Sequence, residues 1–211
     1  ADGVFRKTTW PQVREGTRVI GCRMVRRIKN LVCKWRHVLQ DFARGGGPEL
    51  SERDVSAATP AISTWRLLLA IASWRMNAAN SYLLLLGEVT RAFPHPPIDE
   101  MVITAVPAEF DGMILHVNGE EIVLVGGEPF EVLQAQYGYR RSPQLWQKWL
   151  GSRLSPLALK MSVADPTIYF SETTGVRLIF HVDDLLLSGT RAKVESLFAT
   201  LQVRLPESHD D

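Results

Sequence analysis

Two aspartates enclosed by apolar runs of strand length constrain this sequence more than any other feature. Val176–His181 precedes Asp183 and Asp184, and Leu185–Leu187 follows them. Short apolar runs bounded by polar residues are typical of buried strands, so we predict a hairpin with the aspartates at its turn. Adjacent carboxylates are costly to crowd together unless a cation shares the site. Two interpretations follow: an ordinary polar turn, or a site for Mg²⁺, a hard cation that binds carboxylate oxygens.

The rest of the chain alternates between helical and extended patterns. Helical spacing of apolar residues predicts helices over Ser63–Met76, Ser142–Leu154 and Arg191–Leu201. Extended patterns predict strands at Tyr82–Leu86, Met101–Val106 and Thr167–Phe170, a hairpin over Gly112–Gly126, and either strands or a short helix followed by strands over 18–42. This order predicts an α+β fold, an antiparallel sheet with helices packed on one face.

Composition excludes several classes of protein. The chain has 211 residues and is 45% hydrophobic, enough to bury the core of one large domain or two small lobes. Apolar runs such as Leu67–Ser73 end well before the roughly 20 residues that span a bilayer, so we predict no membrane span. Cys22 and Cys33 are too few for a disulfide framework or a cysteine-based zinc site. We therefore expect an intracellular protein in the cytoplasm or nucleus, and a location in an organelle is a further alternative.

Positive charge is concentrated near the amino end. The net charge is only +1, yet residues 1–44 contain eleven Lys or Arg and three acidic residues. Such a segment is typical of polyanion binding, for example to RNA, although a solvated basic face or a disordered tail has the same composition.

Several segments, in the same order along the chain, resemble the Ty1/copia-type retrotransposon reverse transcriptase family. Phe180–Gly189 resembles the family's Tyr-Val-Asp-Asp hairpin, and Gln136–Trp146 resembles its Leu-Tyr-Gly-Leu-Lys-Gln-Ser-Pro-Arg-Ala-Trp block. Ala164–Tyr169 resembles its Asp-Pro-Ser-Leu-Phe strand, and Thr59–Ser73 its Arg-Leu-Leu-Leu-Ala-Leu-Ala helix. Glu88–Pro107 resembles its Asp-Val-Lys-Asn-Ala-Phe-Leu-His-Gly block.

The resemblance implies a reverse-transcriptase-like fingers and palm domain over 18–211, without the family's thumb and behind a basic N-terminal extension at 1–17. It implies an RNA-directed DNA polymerase that uses an RNA template, a DNA primer, deoxynucleotides and Mg²⁺. The catalytic, metal-binding carboxylates would be Glu88, Asp183 and Asp184. Glu88 and Asp183 would hold the two metal ions, and Asp184 would support the site.

Five further residues match family positions around the incoming nucleotide: Lys34, Arg36, Phe93, Tyr137 and Arg140. The resemblance implies that Lys34 and Arg36 neutralise the triphosphate and that Phe93 screens out the ribose 2′-hydroxyl. Tyr137 and Arg140 would line the nucleotide and template side. Taken without the resemblance, Lys34 and Arg36 are ordinary exposed strand charges, and Phe93 is an ordinary core residue.

The sequence also departs from the family pattern. Glu88 stands where the family has Asp, and the added methylene moves the oxygens by about a bond length, a shift that can cost roughly 10²-fold in rate. His181 replaces the usual Tyr, and Pro94, Pro96 and Pro97 replace a flexible turn. These departures favour a second hypothesis, a domesticated non-catalytic domain that serves as a structural or nucleic-acid-binding subunit among other protein chains.

Overall fold

A computed structural model describes residues 3–29, 32–41, 56–78, 81–117 and 119–204. The chain divides into two compact units. The first comprises the described residues up to Ser56 together with Phe93–Leu145, and the second comprises Ala57–Ala92 and the described residues from Trp146 onward. Residues 205–211 of the predicted domain lie outside the described part.

The described elements mix strands with three α-helices. In chain order they are β1 (Phe5–Lys7), β2 (Arg18–Val19), β3 (Cys22–Lys29), β4 (Val32–Leu39), α1 (Ile62–Ala78), β5 (Tyr82–Glu88), β6 (Pro97–Ala105), β7 (Ile114–Val117), β8 (Glu120–Val123), β9 (Pro129–Gln134), α2 (Ser142–Leu154), β10 (Lys160–Met161), β11 (Ile168–Phe170), β12 (Arg177–His181), β13 (Asp184–Thr190) and α3 (Arg191–Arg204). None of the helices in these ranges is long and apolar enough to cross a membrane.

The first unit is built on a four-stranded sheet in the order β1-β9-β6-β2. Its strands are antiparallel except for the parallel pair β2 and β6. Two hairpins, β3 with β4 and β7 with β8, also belong to the described part of this unit. Its core includes Leu39, Val102, Val132 and Tyr139. Strand β1, which lies within the predicted N-terminal extension, pairs with β9 as part of this sheet.

The second unit is built on a five-stranded antiparallel sheet in the order β10-β11-β12-β13-β5. Leu68 of α1 packs on the face that carries Ile179 and Leu186. Phe198 of α3 lies on the other face, because a Cβ added to Gly87 would come within 3.1 Å of its ring.

The prediction that helices cover only one face is therefore wrong for this sheet. Strand β13 explains why. Its residues Leu185 to Gly189 are all buried, and because successive side chains of a strand point to opposite faces, both faces of the sheet need a covering layer. The prediction of a single antiparallel sheet is also wrong, because the first unit has its own sheet with one parallel pair.

Candidate functional site

The carboxylates predicted from the sequence meet at one end of the five-stranded sheet. In the antiparallel pairing of β5 with β13, Asp184 lies directly opposite Glu88. In the pairing of β12 with β13, Asp184 also lies opposite His181. Because directly opposed residues project from the same face, His181, Asp184 and Glu88 form a row across three adjacent strands. From the sequence, His181 was not predicted as a site residue; it was noted only because the family has tyrosine at that position.

Asp183 lies in the tight turn that precedes β13. Val182 and Asp183 connect β12 to β13, and Val182 has a left-handed φ of 57°. Two hydrogen bonds hold this turn. The Val89 amide donates to the Asp183 carbonyl oxygen at 2.7 Å, and the Trp146 indole Nε1 donates to the Val182 carbonyl oxygen at 2.8 Å. The turn is thus bound to the strand that carries Glu88 and to helix α2.

The end of the sheet is unfavourable for stability in two ways. Like charges that face each other across strands are destabilising, and Glu88 faces Asp184. A β-branched residue at positive φ is a backbone outlier, and such outliers cost about 1–3 kcal/mol and cluster at functional sites. Arg91, three residues after Glu88, also has a positive φ, of 49°. Glu88, Asp184 and His181 are exposed and Asp183 is half-buried, so water reduces the repulsion.

The carboxylates are the right chemical type for Mg²⁺, which prefers hard oxygen ligands. Among the described residues, no group of three or more His, Cys, Asp or Glu side chains is arranged to hold a metal ion. Mg²⁺ is commonly held by only one or two carboxylates, with water and substrate phosphates completing its shell. The opposed pair Glu88 and Asp184 is therefore the donor set to test, with Asp183 beside it.

Three of the predicted nucleotide-binding residues come together in the first unit. The Arg36 guanidinium carbon lies 5.0 Å from the centre of the Tyr137 ring. The Phe93 ring meets the same tyrosine edge to face, with centroids 5.2 Å apart and planes at 70°. Arg36 is exposed, whereas both aromatic residues are half-buried. Lys34 belongs to β4, but its side chain lies outside the described part of the structure.

The loop that carries Tyr137 is held close against the end of β4. The Leu39 amide donates to the Tyr137 carbonyl oxygen at 2.8 Å, and Gly138 has a φ of 80°. A Cβ at Gly138 would lie 1.9 Å from the Leu39 carbonyl oxygen, so only glycine fits here. The Gly of the Tyr-Gly motif therefore has a steric role.

Arg140, the fifth predicted nucleotide-binding residue, is bonded to a buried carboxylate. Its Nε lies 3.3 Å from Asp41 Oδ1, and its backbone amide donates to Asp41 Oδ2 at 3.0 Å. Asp41 also forms an ion pair with Arg18, and its side chain is only 4% exposed. Asp41 was not predicted to be a structural residue. Its isolation within a strongly basic segment was the one available signal.

The predicted residues thus form two groups. The carboxylates lie in the second unit, and the aromatic and basic residues lie in the first. No protein-family model and no curated protein matches this sequence. The fold and the site define only a class of protein. It is a mixed α and β chain of two units, in which a strained hairpin brings acidic residues together.

Proposed function

We propose that this chain carries the fingers and palm of a Ty1/copia-type reverse transcriptase, with nucleotidyl transfer at the Asp183–Asp184 hairpin. The observation that carries the proposal is the register that sets Asp184 opposite Glu88, with Asp183 in the adjoining turn. Two acidic segments far apart in the sequence resemble separate blocks of the family, and they meet at one end of one sheet. A chance likeness of either segment would not account for this pairing.

The chemistry follows from the charges of the site. Mg²⁺, when bound, neutralises the opposed carboxylates and stabilises negative charge on the transferring phosphate. The resemblance implies that Glu88 and Asp183 hold the metal, whereas Asp184 is the residue directly opposite Glu88. We therefore assign Glu88 and Asp184 to orient the ion from neighbouring strands and Asp183 to complete the acidic edge. His181 lies opposite Asp184 in the pairing of β12 with β13 and so borders the proposed site. The bond from Trp146 to the turn would keep Asp183 in place.

The first unit contains residues whose chemistry suits a nucleotide. A guanidinium against an aromatic face is a favourable cation–π arrangement, and Arg36 over Tyr137 has this geometry. An exposed guanidinium can pair with phosphate, and aromatic faces can stack on bases. The role proposed for Phe93 is to pack behind Tyr137 and exclude the ribose 2′-hydroxyl.

The test is primer extension on an RNA template with deoxynucleotides and Mg²⁺. Wild type should extend the primer slowly, and Asp183→Asn should abolish extension. Glu88→Asp should raise the rate by up to about 10²-fold, because it withdraws the carboxylate by one methylene. Glu172→Gln is the matched control, since it removes an exposed carboxylate of the same unit that pairs only with Lys160 in the contacts observed.

A second measurement separates metal binding from turnover. Mg²⁺ should raise the melting temperature of wild type, and Asp184→Asn should remove that increase, because a ligand that binds only the folded state stabilises it. If neither wild type nor Glu88→Asp extends a primer, and Mg²⁺ leaves the melting temperature unchanged, the proposal is wrong.

One observation favours the second hypothesis, a non-catalytic subunit of a larger assembly. Helix α1 exposes large apolar side chains, and extensive exposed apolar surface marks interaction sites. Among them are Leu67 and Trp74, which lie seven residues apart on one helix face. This hypothesis predicts no response to Mg²⁺, and it predicts self-association or aggregation of the isolated chain that Trp74→Glu relieves, measured by sedimentation velocity.

A further inference from the structure

The first unit contains a pocket of about 280 Å³ that the proposed reaction does not use. One wall is a face of the four-stranded sheet, with Phe5, Thr104 and Phe130. The opposite wall is a face of the β3–β4 hairpin, with Met24 and His37 directly paired. The third side is closed by the segment between β6 and β7 and by the start of the loop that follows β8.

The pocket is a concavity open to solvent, since Met113 and Leu115 on its wall are 43% and 39% exposed. An engineered apolar cavity of about 150 Å³ is already large enough to bind benzene. Pockets that bind small molecules begin at about 300 Å³, so this one suits a compact ligand of one or two rings.

The wall of the pocket is apolar, and its polar atoms point elsewhere or are covered. The Cys22 thiol donates to the Ala105 carbonyl oxygen at 3.2 Å. Burial raises the pKa of this thiol, so it stays protonated and uncharged. Thr104 Oγ1 and His37 Nδ1 are covered by neighbouring atoms, and Thr104 also interacts with the Cys22 thiol. Burial also lowers the pKa of His37, which keeps its ring neutral.

We infer that this pocket is a binding site for a small apolar molecule, an aromatic hydrocarbon or a short branched chain without a polar group at its buried end. A hydroxyl pushed into this pocket would lose its hydrogen bonds to water and meet a wall without accessible partners. The site involves none of the carboxylates, so a measurement of ligand binding there gives a result that is independent of the proposed polymerase activity.

The experiment compares 1-methylnaphthalene with 1-naphthol, which has nearly the same shape but carries a hydroxyl. Calorimetric titration of the full chain should give sub-millimolar binding of 1-methylnaphthalene and at least about tenfold weaker binding of 1-naphthol. Ala105→Leu, which adds bulk at the pocket wall, should abolish binding. Thr104→Val, which keeps the size of its side chain, should leave the affinity for 1-methylnaphthalene within about twofold.

A second readout does not depend on a substitution in the wall. In a Cys33→Ser background, bound 1-methylnaphthalene should slow the reaction of Cys22 with a maleimide by at least about threefold, since the ligand would cover the thiol. Equal or tighter binding of 1-naphthol would overturn the inference, because the covered polar atoms would then be accessible. Undetectable binding, unchanged binding to folded Ala105→Leu, or unaltered labelling of Cys22 would overturn it too.

Discussion

The buried carboxylate of Asp41 allows a quantitative test of what holds the first unit together. Its side chain is 4% exposed and forms an ion pair with Arg18, whose side chain is 12% exposed. It also accepts the backbone amide of Arg140 at 3.0 Å and lies 3.3 Å from that residue's Nε. Asp41→Ala removes all of these interactions at once and leaves two guanidinium groups without this buried partner.

The expected cost follows from burial. Removing one partner of a buried ion pair costs about 3–5 kcal/mol, because the remaining charge is left desolvated. Arg18 keeps a second partner, since its Nη1 lies 3.1 Å from Glu100 Oε1, so we expect the lower end, about 3 kcal/mol. For a chain of this size that loss lowers the melting temperature by about 6–12 °C. Asp41→Asn keeps the shape and one acceptor, and should cost about half as much.

The assay is urea and thermal denaturation followed by far-ultraviolet circular dichroism. Glu172→Ala is the control, because Glu172 forms an ion pair with Lys160 at 2.9 Å in which both side chains are 64% exposed. Exposed pairs contribute about 0–1 kcal/mol, so this variant should melt within a few degrees of wild type. If the two variants lose the same stability, or Asp41→Ala loses less than about 1 kcal/mol, burial does not explain the role of Asp41.

Three further predictions concern backbone strain and pH. Gly138→Ala should cost at least about 3 kcal/mol because its Cβ would meet a carbonyl oxygen at 1.9 Å, whereas Gly175→Ala, also at positive φ but facing open space, should cost about 1 kcal/mol in urea denaturation. Burial lowers the pKa of His37 below the ordinary 6.5, so the unfolded chain binds the proton first; stability should fall as the pH drops below 6.5, and thermal melts of His37→Phe should lack this loss. Partial burial raises the pKa of Asp165, but hydrogen bonds from threonine side chains and a backbone amide outweigh it and lower the pKa below 3.8. Its contribution should therefore be present above 3.8 and lost as the pH falls through the folded-state pKa, and Thr64→Val should reduce that loss in acid titrations.

Local patterns were sufficient to predict most of the elements. Helical spacing predicted Ser63–Met76, and the helix runs from Ile62 to Ala78. The prediction of a helix over Ser142–Leu154 is confirmed to the residue, with proline in its first turn. The hairpin predicted over Gly112–Gly126 is confirmed as β7 and β8, and Asn118 between the two strands lies outside the described part. Each of these features depends on neighbouring residues alone, which is why the sequence reveals them.

Such local patterns could not predict which distant segments pair with each other. Nothing in the composition of Phe5–Lys7 predicts that it pairs with β9, because register depends on which face a partner strand buries. The ion pair of Arg18 with Asp41 has no periodic signature either. The prediction that Glu88 belongs near the Asp183–Asp184 pair came from family resemblance, and only the sheet register sets Glu88 opposite one of those aspartates in particular.

The turn at Val182 shows how the second unit accommodates a locally unfavourable sequence. A two-residue hairpin turn with positive φ ordinarily uses Gly or Asn, and this chain has a β-branched residue at that position. The indole of Trp146, itself buried, donates to the carbonyl oxygen of Val182 and offsets part of the strain. Elsewhere in the same sheet, the inner strands β12 and β13 are buried along most of their length, as expected of strands covered on both faces. Within the described residues, backbone strain lies beside opposed like charges at the end of the sheet where Glu88 faces Asp184. We therefore propose that function rather than stability explains the sequence there.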